Sequence, residues 1–122
     1  AAKTALADEP GEPDTLRGGE WRVSEIGGEA VAEDWPVTIA FDEDGAYSGR
    51  ACNAFRGAYM LEGASLSLGP AAATRMACQE PAMAQENALF DALERVAGFA
   101  LQPDGALWLT DAAGDGVIVA RR

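Results

Sequence analysis

The stretch "SGRACNAFRGAY", residues 48–59, places a Cys-Asn pair between two runs that are typical of β-strands. Gly49 and Gly57 flank the pair, and glycine inside a strand often marks a bulge or a close approach by another backbone. Asn53 suits a bend beside Cys52, because asparagine tolerates unusual backbone geometry and bonds to neighbouring peptide groups. The stretch therefore predicts two strands joined by a structural bend.

Two cysteines are present, Cys52 and Cys78. Zinc sites normally recruit four ligands in closely spaced pairs, and this chain contains no histidine. A redox pair would be separated by about two residues, far fewer than here. The spacing favours a disulfide, with two inert buried thiols as the alternative and a catalytic thiol as the least favoured. A bridge would stabilise an exported fold by about 3 to 4 kcal/mol.

Alternating apolar residues predict a series of short strands. In "PVTIAF", Val37, Ile39 and Phe41 share one face, with a period of two. Equivalent pairs recur along the chain: Trp21 and Val23, Leu66 and Leu68, Leu107 and Leu109, Val117 and Val119. Acid-glycine pairs suit the tight turns between strands: Asp44-Gly45, Glu62-Gly63, Asp104-Gly105 and Asp115-Gly116. We therefore expect antiparallel hairpins, the last of them a terminal β-hairpin.

One segment, "PAMAQENALFDALERVA" at residues 81–97, predicts an amphipathic helix. Pro81 suits the first helical position and Gly98 suits the residue just past the end. The predicted apolar stripe has Leu89 at its margin and contains Met83, Phe90, Leu93, Val96 and Ala97. The sequence thus predicts an α+β fold, a curved antiparallel β-sheet or incomplete β-barrel with one packed α-helix.

Composition narrows the classes of function. The chain has 20 acidic and 9 basic residues, a net charge of -11, which disfavours nucleic acid as a partner. The absence of histidine removes the usual general base and the commonest metal ligand, so we expect no catalytic site, no metal and no cofactor. No apolar run approaches the roughly 20 residues of a membrane span. Residues 1–15 are rich in alanine, proline and acids and predict a flexible acidic linker before a domain over residues 16–122.

Three other patterns have simple interpretations. Arg50, Arg56 and Arg75 could bind an anion, but paired surface charges are the simpler explanation in so acidic a protein. The segment "FDEDG", residues 41–45, lacks the ligand spacing of a calcium loop and predicts a solvated turn. Three tryptophans are expected to fill or rim the core, with a ligand groove as the alternative: Trp21, Trp35 and Trp108.

Several blocks, in their order along the chain, resemble the META domain family, also called the HslJ-like family. The likeness spans residues 16–122, and its blocks include "GEWRVSEIGG", "TIAFDEDGAYSG", "CNAFRGAY", "LSLGPAAATRMAC" and "LWLTDAAGDGVIVA". The resemblance implies a family motif, with a structural or interaction role, at Gly49, Asn53, Phe55, Gly57, Tyr59, Thr74, Arg75 and Met76.

The resemblance also implies an exported protein without catalytic activity, in the periplasm or outer cell envelope and linked to stress responses. Many such proteins are lipoproteins, and any lipid anchor would lie upstream of residue 1, since the start at Ala1 indicates processing. We expect a monomer that contacts a protein partner in the envelope. The alternatives are a carrier of a lipid-like or other apolar molecule and an inhibitor of a secreted hydrolase. A carrier predicts an apolar cavity of a few hundred Å³ between helix and sheet, whereas a binding module predicts a filled interior and an exposed patch.

Overall fold

The structure, a computed structural model, describes residues 13–122 and consists mainly of antiparallel strands. The strands are β1 (Trp21–Ile26), β2 (Glu29–Ala30), β3 (Val37–Phe41), β4 (Ala46–Arg50), β5 (Ala54–Glu62), β6 (Ser65–Leu68), β7 (Ala72–Ala73), β8 (Gly98–Leu101), β9 (Leu107–Thr110) and β10 (Gly116–Arg121). A short helix, α1 (Pro13–Leu16), precedes them, and the long helix α2 (Ala82–Arg95) separates β7 from β8. Within these residues, no helix is long and apolar enough to cross a membrane.

Eight of the strands close into a barrel. Their order is β10-β9-β8-β6-β5-β4-β3-β1, and β1 pairs back onto β10, while β2 adds to β1 and β7 adds to β5. The expected antiparallel hairpins, including the terminal β9–β10 hairpin, are confirmed. The expectation of an incomplete barrel was wrong, because residues 22–26 pair with residues 118–121 and join the two ends of the sheet. Closure removes the long free edges that an open sheet would leave.

The inward faces follow the predicted alternation except in the last strand. Predicted inward residues of β1, β3 and β9 are all buried: Trp21, Val23, Val37, Ile39, Phe41, Leu107 and Leu109. Leu66 is buried, whereas Leu68 is half-buried. In β10 only one of the two predicted residues was right: Val117 is buried, but a register shift between Gly116 and Ile118 also places Ile118 and Ala120 in the core and leaves Val119 half-buried. Such a bulge changes which side chains face the core.

The tight turns are mostly where acid-glycine pairs predict them. Three of the predicted glycines have the positive φ of such turns: Gly45, Gly63 and Gly105, with φ of 89°, 59° and 91°. The fourth prediction was wrong, because Gly114 occupies the turn (φ 90°) and Gly116 begins β10. The Asp111 carboxylate accepts hydrogen bonds from the backbone N–H groups of Ala113 and Asp115, which closes this turn earlier than predicted.

Helix α2 lies within the predicted segment, and Leu93 and Val96 of the predicted stripe are buried, but the stripe differs at two other positions. Leu89, predicted at the margin, is fully buried, while Ala97 is exposed. The helix stops at Arg95 because Val96 already has extended backbone, and the predicted terminal glycine, Gly98, begins β8 instead. Leu89, Ala92 and Leu93 belong to the same apolar cluster as the barrel interior, so helix and barrel share one core.

Side chains fill this shared core. The largest fully buried members include Trp21, Tyr47, Phe41, Leu16, Ile39, Leu66, Leu89, Leu107, Leu109 and Ile118. An eight-stranded barrel is just wide enough for its own side chains to pack inside. Of the other two tryptophans, Trp35 is half-buried and Trp108 is exposed on β9.

The predicted linker meets the fold at α1. Residues 1–12 of that predicted linker lie outside the described residues, whereas the last part of it overlaps α1. Leu16, which ends α1, is fully buried and its carbonyl accepts a hydrogen bond from the Trp21 indole. The segment before β1 is therefore anchored to the barrel at Leu16, whereas residues 18–20 are exposed.

Candidate functional site

The two cysteines are joined. Cys52, in the loop between β4 and β5, forms a disulfide with Cys78, and their Cα atoms lie 6.3 Å apart. The alternative of two separate buried thiols is therefore wrong. Cys78 precedes α2 by a few residues, so the bridge links the bend at the Cys-Asn pair to the start of the helix.

The neighbouring Asn53 is the centre of a hydrogen-bond network. Its side chain is only 3% exposed, and its Oδ1 accepts bonds from Met76 N at 2.7 Å and Thr74 Oγ1 at 2.9 Å. Its Nδ2 donates to Met76 O at 3.2 Å and to Glu86 Oε2 at 3.0 Å. The amide thus pairs with both backbone groups of Met76, as a neighbouring strand would. This side chain replaces sheet pairing where the barrel has a bend.

Sequence reasoning missed the partner of Asn53 on the helix. Glu86 is 4% exposed, and its Oε1 accepts a hydrogen bond from the backbone N–H of Asn53 at 2.7 Å. A signal for it exists in the sequence, since Glu86 lies three residues before Leu89 and seven before Leu93, on the buried face of α2. An acid on an apolar stripe needs a buried hydrogen-bonding partner, because an unpaired buried carboxylate is costly.

The Thr-Arg-Met-Ala-Cys block, residues 74–78, forms a segment that we call the motif loop. Thr74 anchors its start, because its N–H donates to Ala54 O at 3.0 Å and its Oγ1 accepts from Ala54 N at 3.2 Å. Arg75 is exposed, and the Met76 side chain is 53% exposed although Asn53 holds the Met76 backbone. The motif loop therefore presents its two long side chains, Arg75 and Met76, to solvent from a fixed backbone.

The motif glycines lie where another group leaves no room for a side chain. A Cβ on Gly57 would be 2.7 Å from Cε1 of the Tyr47 ring, its cross-strand neighbour. A Cβ on Gly49 would lie 2.5 Å from Cζ of Phe55. Phe55 in turn packs edge-on against Phe90 of α2, with ring centroids 5.6 Å apart. Glycine at positions 49 and 57 therefore lets the barrel wall pack directly against aromatic side chains of the core.

Tyr59, the remaining predicted motif residue, lies elsewhere. It belongs to β5, its hydroxyl donates to the carbonyl of Asp42, and it accepts a hydrogen bond from Arg17 Nε at 2.7 Å. Its ring packs edge-on against Phe41 at 5.3 Å. The structure thus brings Asn53, Thr74 and Met76 together, whereas Tyr59 ties the β3–β4 turn to the barrel.

The acidic turn "FDEDG" is a hairpin, as predicted. Asp42 Oδ1 accepts hydrogen bonds from the N–H groups of Asp44 and Ala46, each at 2.9 Å. The bond from Ala46 is the main reason that the pKa of Asp42 lies below its ordinary value. Arg56 lies 4.0 Å from the same carboxylate, so this arginine is a paired surface charge. Among residues 13–122, no three Cys, Asp or Glu side chains are placed to hold a metal ion.

Comparisons with known proteins agree with this fold. The model of the META domain family matches residues 14–122. A protein from Burkholderia xenovorans, solved by NMR, is 29% identical with a TM-score of 0.72, covering 98% of this chain and 93% of that one. A second NMR structure is 26% identical with a TM-score of 0.71, covering 91% and 94%.

More distant likeness extends to the fold alone. A DUF4847 family protein from Bacteroides vulgatus is 16% identical with a TM-score of 0.64, covering 87% of this chain and 93% of that one. No curated protein matches the sequence. Because the family model covers nearly the whole described barrel, the chain belongs to the META domain family.

Proposed function

We propose that this chain is an exported, non-enzymatic module of the cell envelope that contacts a protein partner through the motif loop. The observation that carries the proposal is the contrast at Met76, whose backbone is held on both sides by Asn53 while its side chain is 53% exposed. Methionine is enriched at protein interfaces, and a backbone that is already held in place presents this side chain to a partner at little further ordering cost.

The anchoring of the motif loop favours tight binding to a protein partner. Asn53, Thr74 and the bridge at Cys78 hold the loop at several points, so binding would order few further groups. Such preorganisation lowers the entropic cost of association. Arginine and methionine, the side chains at Arg75 and Met76, are both enriched at protein interfaces. The disulfide also fits an exported protein, since disulfides persist in oxidising compartments such as the periplasm.

A carrier is the second candidate, and one concavity favours it. A recess of about 490 Å³ between α2 and the barrel is lined by residues that include Tyr47, Leu68, Phe90 and Leu93. Its size suits a small apolar ligand. The filled barrel interior favours the binding module instead. Native mass spectrometry of protein purified from its own envelope distinguishes them, since a carrier would show an added mass of a few hundred daltons and a binding module the mass of the oxidised chain alone.

The interaction is tested by photo-crosslinking in intact cells. A photoreactive phenylalanine replaces Met76, and in a matched variant it replaces Met60, which is 71% exposed on β5 outside the motif loop. We expect a discrete protein adduct from position 76 that is absent from position 60. Adding Arg75→Glu to the first variant should weaken that adduct.

Two outcomes would contradict the proposal: no adduct from position 76 at equal expression, or the same adduct from both positions. The adduct also separates the partner classes. A basic hydrolase as the captured protein would support the inhibitor alternative, since opposite charges attract on a chain of net charge -11.

A further inference from the structure

A second surface, remote in sequence from the motif loop, carries positive charge on this acidic chain. A groove of about 1000 Å³ lies over β1, β3 and the end of β10, and its lining includes Arg22, Ser24, Val31, Pro36, Thr38 and Arg121. We call it the arginine groove. Its volume is at the upper end of the range of ligand pockets, roughly 300 to 1000 Å³.

The sheet register places three arginines in one row. Arg121 of β10 is opposite Arg22 of β1, Arg22 is opposite Thr38 of β3, and Thr38 is opposite Arg50 of β4. All three arginines are exposed, while the residues beside them, such as Val23 and Ala120, are buried. The row therefore lies on the outer face of the barrel.

Arg22 and Arg121 carry the same charge and lie directly opposite each other on neighbouring strands. Like charges directly opposite on neighbouring strands are destabilising. Arg121 is partly neutralised by Asp104, with Nη2 and Oδ2 3.1 Å apart. Arg22 makes no side-chain hydrogen bond or ion pair within residues 13–122. Unfavourable pairings that the fold compensates only in part are expected at functional surfaces.

Both sides of the groove are held in place. On one side, Gln85 of α2 accepts a hydrogen bond from Ala32 N at 2.8 Å and donates one to Trp35 O at 2.7 Å, which fixes the segment that follows β2. On the other side, the guanidinium of Arg122 lies 3.8 Å from the centroid of the Trp21 ring. The groove is thus preformed and does not need to be assembled by a ligand.

We propose that the arginine groove binds a short acidic peptide segment of a protein, with its carboxylates on Arg22 and Arg121 and its apolar side chains on Val31 and Pro36. Arginine forms two-pronged bonds to carboxylates, which suits a strand-like segment with acids on one side. Glu20 and Glu33 also line the groove, so the carboxylates of the peptide must lie on the arginines and away from these two acids.

The mixed lining argues against a nucleic acid as the ligand. A chain of net charge -11 repels a long polyanion, whereas a short segment presents only a few charges, close to the arginines. The apolar residues of the groove also match a peptide better than a bare phosphate chain. This inference is independent of the motif loop, because it concerns different residues.

The test is an NMR titration of the ¹⁵N-labelled full chain with two blocked synthetic peptides, one alternating Glu with Val and the other alternating Gln with Val. We expect the Glu peptide to shift the amide signals of Ser24, Val31 and Ala32 and to bind at least tenfold more tightly than the Gln peptide. The Arg22→Glu variant should lose at least tenfold in affinity for the Glu peptide and keep a thermal midpoint no lower than the parent, because it replaces a like-charge pair by an opposite-charge pair.

Arg95→Glu is the matched control, since it makes the same charge change at an exposed position in the last turn of α2. It should bind the Glu peptide as the parent does. Equal loss in both variants, equal binding of both peptides, or shifts confined to other surfaces would overturn the proposal. Met76→Asp should leave peptide binding unchanged, so this result and the crosslinking result can fail separately.

Discussion

Glu86 of α2 binds Asn53 of the β4–β5 loop through both carboxylate oxygens, at 2.7 Å to the backbone nitrogen and 3.0 Å to Nδ2. Both residues are almost completely buried. The same loop carries the Cys52–Cys78 bridge, so a covalent bond and a polar network join helix and barrel at one place. The Cys-Asn pair is therefore a junction between the two parts of the fold.

Removing the Asn53 side chain should destabilise the protein strongly. Asn53→Ala leaves the Met76 N–H without its acceptor and removes one of the donors to the buried Glu86 carboxylate. Unsatisfied buried groups cost about 1 to 3 kcal/mol each, so we expect a loss of about 3 kcal/mol or more in the free energy of unfolding. Urea denaturation, monitored by circular dichroism, measures this change in the free energy of unfolding.

The control for this variant is Asn87→Ala, at an exposed position on α2. It should change the unfolding free energy by less than about 0.5 kcal/mol. If Asn53→Ala were as mild as this control, the network would not stabilise the junction.

Loss of the disulfide should weaken the fold without changing it. The bridge joins residues 26 positions apart, and closing such a loop stabilises by about 3.5 kcal/mol on the chain-entropy model. The Cys52→Ser/Cys78→Ser variant should therefore unfold at lower urea, with a somewhat steeper denaturant slope because its unfolded chain exposes more surface, while the Asn53 network keeps the native spectrum. Reductant should lower the midpoint of the parent protein and leave that of the double variant unchanged; a parent insensitive to reductant argues against the stabilising bridge.

Adding a methyl group at Gly57 should disrupt the barrel wall. The new Cβ of Gly57→Ala would meet three atoms of the Tyr47 side chain at 2.7 to 2.8 Å. Overpacking of a close-packed core typically costs about 1 to 3 kcal/mol. Thermal unfolding should show the loss. Pairing the change with Tyr47→Leu should recover part of it, so that the double variant is less destabilised than the sum of the single ones; strict additivity would contradict the contact.

Two exposed carboxylates in turns, Asp42 and Asp104, should make the stability of the fold sensitive to acid. The pKa of Asp42 is lowered mainly by the hydrogen bond from Ala46 N, and that of Asp104 mainly by the bond from Ala106 N, with Arg121 adding to it. A carboxyl whose folded pKa is depressed stabilises the fold above its unfolded pKa, and this contribution is lost as pH falls through the folded pKa. Stability should therefore fall below about pH 4 as these groups take up protons.

Melting temperatures measured from about pH 5 to about pH 2.5 check this dependence. Asp42→Asn and Asp104→Asn should each lose less stability over that interval than the parent. Asp91→Asn, at an exposed position on α2 without a side-chain hydrogen bond among the described residues, should follow the parent curve. Parallel curves for all four proteins would contradict the assignment.

The strands and the helix could be predicted because their signals are local. Alternation at Val37, Ile39 and Phe41 fixes the inward face of β3, and positive φ at Gly45 and Gly63 follows from the turn each must make. The helix boundary was less accurate, since Gly98 was needed for β8 and not for the end of α2. A local sequence pattern does not show to which helix or strand a boundary residue will belong.

Only part of the candidate site could be predicted from the sequence. The Cys-Asn pair and the motif loop stood out by residue type, whereas Glu86 and the arginine row did not. Glu86 became significant only when α2 was placed against the bend. Arg22 and Arg121 are 99 residues apart in number yet directly opposite in the closed barrel.

The alternation of most strands, three of the four turns, the amphipathic helix and the family could be predicted from the chain alone, because each depends on neighbouring residues or on blocks in a fixed order. Tertiary structure alone decided the closure of the barrel between β1 and β10, the bulge that turns Ile118 inward and the burial of Glu86. These features depend on pairing between segments far apart in the chain, and no local pattern specifies which register gives the best packed core.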